Sequence, residues 1–145
     1  MIDAMIILAS HGSLANGYKD TLGLLGVDTS NIICMNFYTD KGNNLEDIKK
    51  IIADYDEKKP MIIFTDIMYG SVNQIFIQEK INSKKKNIHI IAGCNLPVVM
   101  SICLETNELT EEKISELVNE SKKQLIYETD FELKKIDKTN DDILN

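Results

Sequence analysis

The sequence predicts an α/β domain with helices on both faces of a parallel sheet, and three observations lead there. Short apolar runs alternate with stretches of helical periodicity along 145 residues. A chain of that length, 43% hydrophobic and 27% charged, suits one domain with a real core. Two of the apolar runs stop directly before side chains capable of chemistry, His11 and Asp66. Residues just past the carboxyl ends of parallel strands form the reactive rim of such a sheet.

The elements follow in order. Ala4–Ala9 is the first predicted strand. Leu14, Tyr18, Leu22 and Leu25 then recur at helical spacing until Gly26. Asn31–Phe37 is the second strand. Asn44 is a good N-cap for the next helix, with Asp47 at its third position and Leu45, Ile48, Ile52 and Tyr55 as the buried stripe. Glu46 and Asp47 early and Lys49 and Lys50 later suit the helix dipole. Met61–Thr65 is the third strand. Ser71-Val72-Asn73-Gln74 fits a capping box that opens the third helix. Lys84–Lys86 is expected to be the solvated end of that segment. Asn87–Ala92 is the fourth strand, and Pro97 is tolerable in the first turn of the apolar helix that runs to Leu104. Thr110 caps a last amphipathic helix carrying Ile114, Leu117 and Val118.

The end of the chain has a different pattern. Tyr127, Thr129, Phe131 and Leu133 alternate with Glu128, Asp130, Glu132 and Lys134, a period of two that predicts a half-buried strand. The expected architecture is therefore three layers, αβα, with a parallel sheet of order 2-1-3-4 and an antiparallel C-terminal edge strand. Residues 1–136 are expected to form a single domain. Residues 137–145 are polar and expected to fray.

Composition removes several function classes. The formal net charge is −7, so the basic footprint of a nucleic-acid binder is missing. No apolar run approaches the roughly 18 residues that span a bilayer, and the N-terminus does not resemble a secretory signal. All 16 basic residues are lysines. Without arginine there is no bidentate guanidinium clamp, and a bound anion must rest on backbone N–H groups, hydroxyls, helix ends or lysines. Cys34, Cys94 and Cys103 form no C-x-x-C pair, which suggests neither a disulfide framework nor a zinc site. Reduced thiols in the cytoplasm are the default, and Cys94 is expected to be a small buried residue.

In the order 2-1-3-4, the first and third strands are neighbours whose crossovers leave on opposite faces, and a crevice opens between the following loops. Those loops hold His11 and the segment Asp66–Ser71. A carboxylate at Asp66 that accepts the Nδ1 proton fixes the tautomer and leaves Nε2 as a nucleophile. Ser71 is able both to cap its helix and to face a phosphoryl group. Backbone N–H groups of Val72 and Asn73, and those around Gly12, are candidate phosphate donors. Phosphoryl transfer needs positioning and charge stabilisation above all. The plainer roles are a turn residue for Asp66 and a cap for Ser71. His89 lies within the fourth strand and is read as structural; Thr65, Tyr69 and Asn95 are read as loop-shaping residues. A flavodoxin-like cofactor site would need a richer hydroxyl loop than Ser10-His11-Gly12-Ser13. A metal hydrolase would need more ligands than two histidines, one of them on the rim, supply. No cofactor or metal is expected.

Three segments carry a family resemblance: Ile7-Leu8-Ala9-Ser10-His11-Gly12, then Phe64-Thr65-Asp66-Ile67-Met68-Tyr69-Gly70-Ser71, then Ile90-Ile91-Ala92-Gly93-Cys94-Asn95-Leu96-Pro97. In this order and spacing the chain resembles the IIA component of the mannose-type sugar phosphotransferase system, over about residues 1–125. The resemblance implies a phosphohistidine carrier. A histidine phosphocarrier protein would phosphorylate His11 at Nε2, and a IIB component would take the group onward to a sugar entering through membrane IIC and IID components. The family's orienting aspartate falls on Asp66 and its phosphate-contacting serine on Ser71. The resemblance also implies a cytoplasmic homodimer that exchanges a C-terminal edge strand and meets the membrane only through the transporter. Two alternatives share the histidine: a phosphoryl donor for a dihydroxyacetone kinase, and a regulatory module whose phosphorylation state is read by another protein. One departure stands out. The family's aromatic-Gly-Gly-Ser-Pro becomes Met68-Tyr69-Gly70-Ser71-Val72, which loses a glycine and the proline.

Overall fold

The computed structural model describes residues 3–129 and 134–138. Its elements run β1 (Met5–His11), α1 (Leu14–Leu24), β2 (Ile32–Phe37), α2 (Leu45–Asp54), β3 (Met61–Thr65), α3 (Ser71–Ser83), β4 (Ile88–Ala92), α4 (Leu96–Leu104) and α5 (Glu111–Lys122). The four strands are parallel and ordered β2-β1-β3-β4, as expected from the alternation in the sequence.

Successive strand residues face opposite sides of a sheet, and here that alternation builds two cores. Ile6, Leu8, Ile62 and Phe64 pack with Leu22, Val99 and Ile102 beneath α1 and α4. Ile7, Ala9, Met35, Phe37 and Ile63 pack with Ile48, Ile52 and Phe76 beneath α2 and α3. The five residues of β3 are all buried. Each such Ile, Leu or Phe contributes about 1.5–3 kcal/mol on burial, so the central strands β1 and β3 anchor the sheet on both faces. Among the described residues no helix is long and apolar enough to cross a membrane.

The starts of α2, α4 and α5 follow the local chemistry, and that of α3 does not. Asn44 accepts the Asp47 N–H at 3.2 Å while Asp47 accepts the Asn44 N–H at 2.8 Å, a reciprocal box that starts α2. Asn95 accepts the Val98 N–H at 2.9 Å to start α4, and Thr110 accepts the Lys113 N–H at 3.1 Å to start α5. The expected box at α3 does not form. Gly70 is the N-cap there, Ser71 is the first helical residue, and no side chain caps the helix. Gln74 turns back instead, its Nε2 donating to the Tyr69 carbonyl at 2.6 Å. The Ser71 hydroxyl has been claimed by a more distant partner, described below.

Two further expectations are corrected. Lys84–Lys86 is not simply a solvated helix end. Lys84 closes α3 in the left-handed region (φ 59°), while Lys85 reaches the C-terminus of α2. Its Nζ donates to the carbonyls of Ile52, Ala53 and Tyr55 at 2.5, 3.1 and 2.5 Å. A cation there satisfies orphan carbonyls and opposes the negative end of the helix dipole. The C-terminal edge strand is absent from the described residues: Leu125–Thr129 carry no strand and are exposed, and residues 134–138 turn helically. Alternation alone does not set pairing, and of the expected strand through Leu133 only Tyr127, Glu128 and Thr129 lie within the described residues. Phe131 and Leu133 of the expected strand, and 139–145 of the expected frayed tail, lie outside the described residues.

The Lys85 contact yields a test. Lys85→Met keeps the aliphatic stem and removes the donors. It is expected to cost about 1–2 kcal/mol, seen as a lower urea midpoint at unchanged slope. An unchanged midpoint would assign Lys85 to the solvated surface.

Candidate functional site

The site grows from the ends of β1 and β3. Ala9 pairs with Thr65, so the chain beyond each strand emerges side by side. The helices that follow leave on opposite faces, α1 into one core and α3 into the other. That divergence is the topological switch at which such sheets open a crevice. The turn after β1 is stapled from below. Buried Ser10 accepts the Ala15 N–H at 2.8 Å and donates to the Gly12 carbonyl at 3.3 Å. Gly12 adopts φ 60°, a left-handed conformation that glycine takes without steric cost.

His11 and Asp66 meet in this crevice. One carboxylate oxygen, Oδ2, accepts both the backbone N–H of His11 at 2.8 Å and its ring Nδ1 at 2.9 Å. The other, Oδ1, accepts the Ile67 N–H at 3.0 Å. The Asp66 side chain is 8% exposed, the His11 side chain 39%. Burial by itself would raise the Asp66 carboxyl. The hydrogen bonds from the His11 backbone and ring, with the attraction of that ring, outweigh it and hold the group below the ordinary carboxylate range. An ionised carboxylate only accepts, so Nδ1 donates to it, and of the two neutral tautomers this selects the one whose Nε2 carries the lone pair. Nε2 lies 3.1 Å from the Ser71 hydroxyl.

A fourth residue completes the group. Tyr38 follows directly on Phe37, which pairs with His11 across β1 and β2. Its ring stacks on the imidazole, with centroids 5.3 Å apart and planes at 26°. Its hydroxyl donates to Ser71 Oγ at 2.9 Å. Sequence reading passed over Tyr38, although it stands where the rim rule points, one residue past a strand that borders β1.

The loop that carries Asp66 is braced from within α3. Asn73 is buried; its Oδ1 accepts the Tyr69 N–H at 3.2 Å and its Nδ2 donates to buried Thr65 Oγ1 at 2.9 Å. Tyr69 has φ 63°, a conformation costly for residues other than glycine. Tyr69 stands where the resemblance expects a glycine, and Asn73 and Gln74 bond its N–H and its carbonyl. Gly70 lies under the ring. A Cβ there would stand 3.2 Å from Ile67 and 3.6 Å from His11 Cε1.

His11, Asp66 and Ser71 therefore converge as the spacing suggests. Val72 and Asn73 lie in the first turn of α3, whose N–H groups have no intrahelical acceptor. Gly12 departs from expectation: its N–H is donated to the Phe37 carbonyl at 2.8 Å and is not open to a ligand. His89 sits within β4, bonded to Asn87 Oδ1 at 3.1 Å, and burial holds its pKa down. Cys94 is pushed up to about 11 by burial, so its thiol stays protonated near neutrality. Thr65 braces Asn73 and Asn95 caps α4, both as loop-shaping residues. Among the described residues no three His, Cys, Asp or Glu side chains gather as a metal site.

The lowered Asp66 carboxyl has a pH signature. Its stabilising contribution is complete above the unfolded value, ~3.9, and is lost as pH falls through the lower folded value. Asp66→Asn is expected to cost about 1–3 kcal/mol at pH 7, with the gap to wild type closing below pH ~4. Urea titrations across that range check it, and a gap independent of pH would contradict the assignment.

Comparison with known proteins places this geometry. Residues 5–122 match the family described as the fructose IIA component of the phosphotransferase system (PTS). Comparison with curated protein sequences gives no match. The fold superposes on a Klebsiella pneumoniae protein described as a phosphoenolpyruvate-dependent sugar PTS permease, with TM-score 0.74 and 28% identity over 86% of this chain and 90% of that one. PTS component EIIA from Streptococcus agalactiae follows at TM-score 0.71 and 19% identity, over 86% and 96% of the two chains. The mannose/sorbose specific IIA subunit from Enterococcus faecalis gives 0.67 and 17%, over 88% and 96%. The last two share the fold. The family match spans most of the chain, and the protein belongs to the IIA components of the sugar phosphotransferase system.

Proposed function

We propose that this protein is a phosphohistidine carrier, taking a phosphoryl group onto His11 from a histidine phosphocarrier protein and passing it to a IIB component for sugar uptake through IIC and IID partners. The observation that carries the reading is the double hydrogen bond from His11 to Asp66, which engages Nδ1 and leaves Nε2 as the ring nitrogen of the neutral tautomer with a lone pair to offer. The Nε2 lone pair attacks phosphorus as the donor's P–N bond breaks, and the donor imidazole leaves with that electron pair. Nδ1 keeps its proton. The positive charge that develops on the ring is balanced by the Asp66 carboxylate, and electrostatic placement of this kind is the main resource for phosphoryl transfer. The Ser71 hydroxyl and the first-turn N–H groups of α3 then face the phosphoryl oxygens.

The absence of arginine suits a relay. A guanidinium that bound the phosphoryl group tightly would stabilise the intermediate more than the transition states on either side of it, and so slow the next transfer. The reading places the protein in the cytoplasm, and three unpaired cysteines accord with a reducing compartment.

Incubation with labelled phosphoenolpyruvate and the upstream donors is expected to label the wild type. His11→Ala is expected to take no label. Asp66→Asn is expected to slow labelling by about 10–100-fold, as loss of an orienting partner does at other histidine centres. An unlabelled wild type, or a labelled His11→Ala, would refute the reading.

A further inference from the structure

We propose that Tyr38 is a positioning residue for His11, its hydroxyl holding the Ser71 hydroxyl against Nε2 and its ring setting the plane of the imidazole. The inference rests on the reading of His11 as phosphoryl acceptor. The direction of each hydrogen bond follows from the donors available. Asp66 only accepts, so Nδ1 donates to it, and in the neutral ring that attacks phosphorus Nε2 accepts. The Ser71 hydroxyl must then donate to Nε2 at 3.1 Å. That commits its one proton and leaves its lone pairs for the Tyr38 hydroxyl, which donates to it at 2.9 Å. The result is a single chain of donors, Tyr38 to Ser71 to His11 to Asp66. Hydrogen bonds aligned in one sense polarise one another.

The chain answers a problem that Ser71 cannot solve alone. Its side chain is exposed and does not cap α3, so nothing in its own helix selects one staggered rotamer over the others. Tyr38, bonded to Oγ, selects the one that faces Nε2. When a phosphoryl group arrives on Nε2, the Ser71 proton turns from nitrogen to a phosphoryl oxygen, and Tyr38 keeps Oγ in range during that exchange. The stacked ring meanwhile restrains one face of the imidazole.

The backbone shows that the tyrosine is held in place. Tyr38 has φ 62°, in the left-handed region that residues with a Cβ avoid. Such conformations persist where the surroundings determine them. The loop beyond it closes tightly: Asn43 N–H donates to the Asn36 carbonyl at 2.7 Å, and Asn43 Oδ1 accepts the Asn36 N–H at 3.0 Å. Gly42 permits this closure, since a Cβ there would stand 2.2 Å from the Asn36 carbonyl oxygen. Tyr38 itself is 67% exposed, yet its hydroxyl is directed to Ser71.

Tyr38→Phe separates the roles, because it keeps the ring and removes the hydroxyl. In the free protein, the imidazole 15N signal of Nε2 is expected to shift toward that of an unbonded lone pair. In phosphoryl transfer from the phosphorylated histidine phosphocarrier protein, the saturating rate is expected to fall about three- to tenfold with KM for the donor unchanged. The same substitution in a Ser71→Ala background is expected to have no further effect. A wild-type rate and 15N signal in Tyr38→Phe would overturn the inference. So would a change confined to KM, which would mark a docking contact, or an equal loss in the Ser71→Ala background. In each of these cases the labelled wild type leaves the carrier reading standing. An unlabelled wild type would overturn the carrier reading and this inference with it.

Discussion

The site depends on one carboxylate oxygen that accepts two hydrogen bonds from the same residue. Asp66 Oδ2 takes the backbone N–H and the ring Nδ1 of His11 together. The first bond ties the end of β1 to the loop after β3 across the crevice that their diverging helices leave open. The second orients the imidazole on that tie. A nearly buried carboxylate is costly unless its lone pairs are satisfied, and the Ile67 N–H supplies a third donor. The same contacts that make the charge tolerable also set the tautomer. Position and tautomer of the histidine thus have one cause.

Around this contact the protein places strain and bracing side by side. Tyr38 and Tyr69, on opposite flanks of His11, both take left-handed backbone conformations. Each is held by an asparagine pairing: Asn43 with Asn36 behind Tyr38, and Asn73 with Thr65 beneath Tyr69. Local strain is retained where the fold over-determines it, and it concentrates at working sites. The burial gradient has the same sense. Asp66 is inside, His11 half-buried, and Ser71 and Tyr38 outermost, so the imidazole lies at the boundary between a buried interior and an exposed rim.

What the sequence revealed and what it concealed divide along the range of the interactions. Strand order, the two cores and the convergence of His11 with Asp66 follow from apolar runs and from the rim rule, both properties of whole elements. The caps at Asn44 and Thr110 are local and were legible, while Asn95, read as loop-shaping, caps α4. Ser71-x-x-Gln74 carried the same local signal and misled, because its hydroxyl is spent on His11 and Tyr38, residues brought to it only by the sheet. Lys85 looked like one of three solvated lysines because its acceptors, the last carbonyls of α2, are distant in sequence. Tyr38 belongs to no motif and has meaning only once β2 lies beside β1. The period-two pattern after Tyr127 describes a strand-forming segment, yet pattern alone does not supply an edge to pair with.

Charge bears on how a phosphoryl group would reach such a site. The chain carries a net charge of −7 and no arginine, so its field repels small anions rather than gathering them. A free phosphate or nucleotide would find neither a guanidinium fork nor a basic funnel at His11. On the carrier reading, delivery by another protein removes this difficulty, since docking contacts away from the reacting atoms can offset the repulsion. Leu14, at the start of α1, and Ile67, Met68 and Tyr69, between β3 and α3, are exposed apolar side chains suited to such contacts. Weak binding of the phosphoryl group itself and strong positioning of the imidazole are then two sides of one arrangement. On that reading the site would hold its nucleophile firmly and its cargo loosely, the combination that reversible transfer between proteins requires.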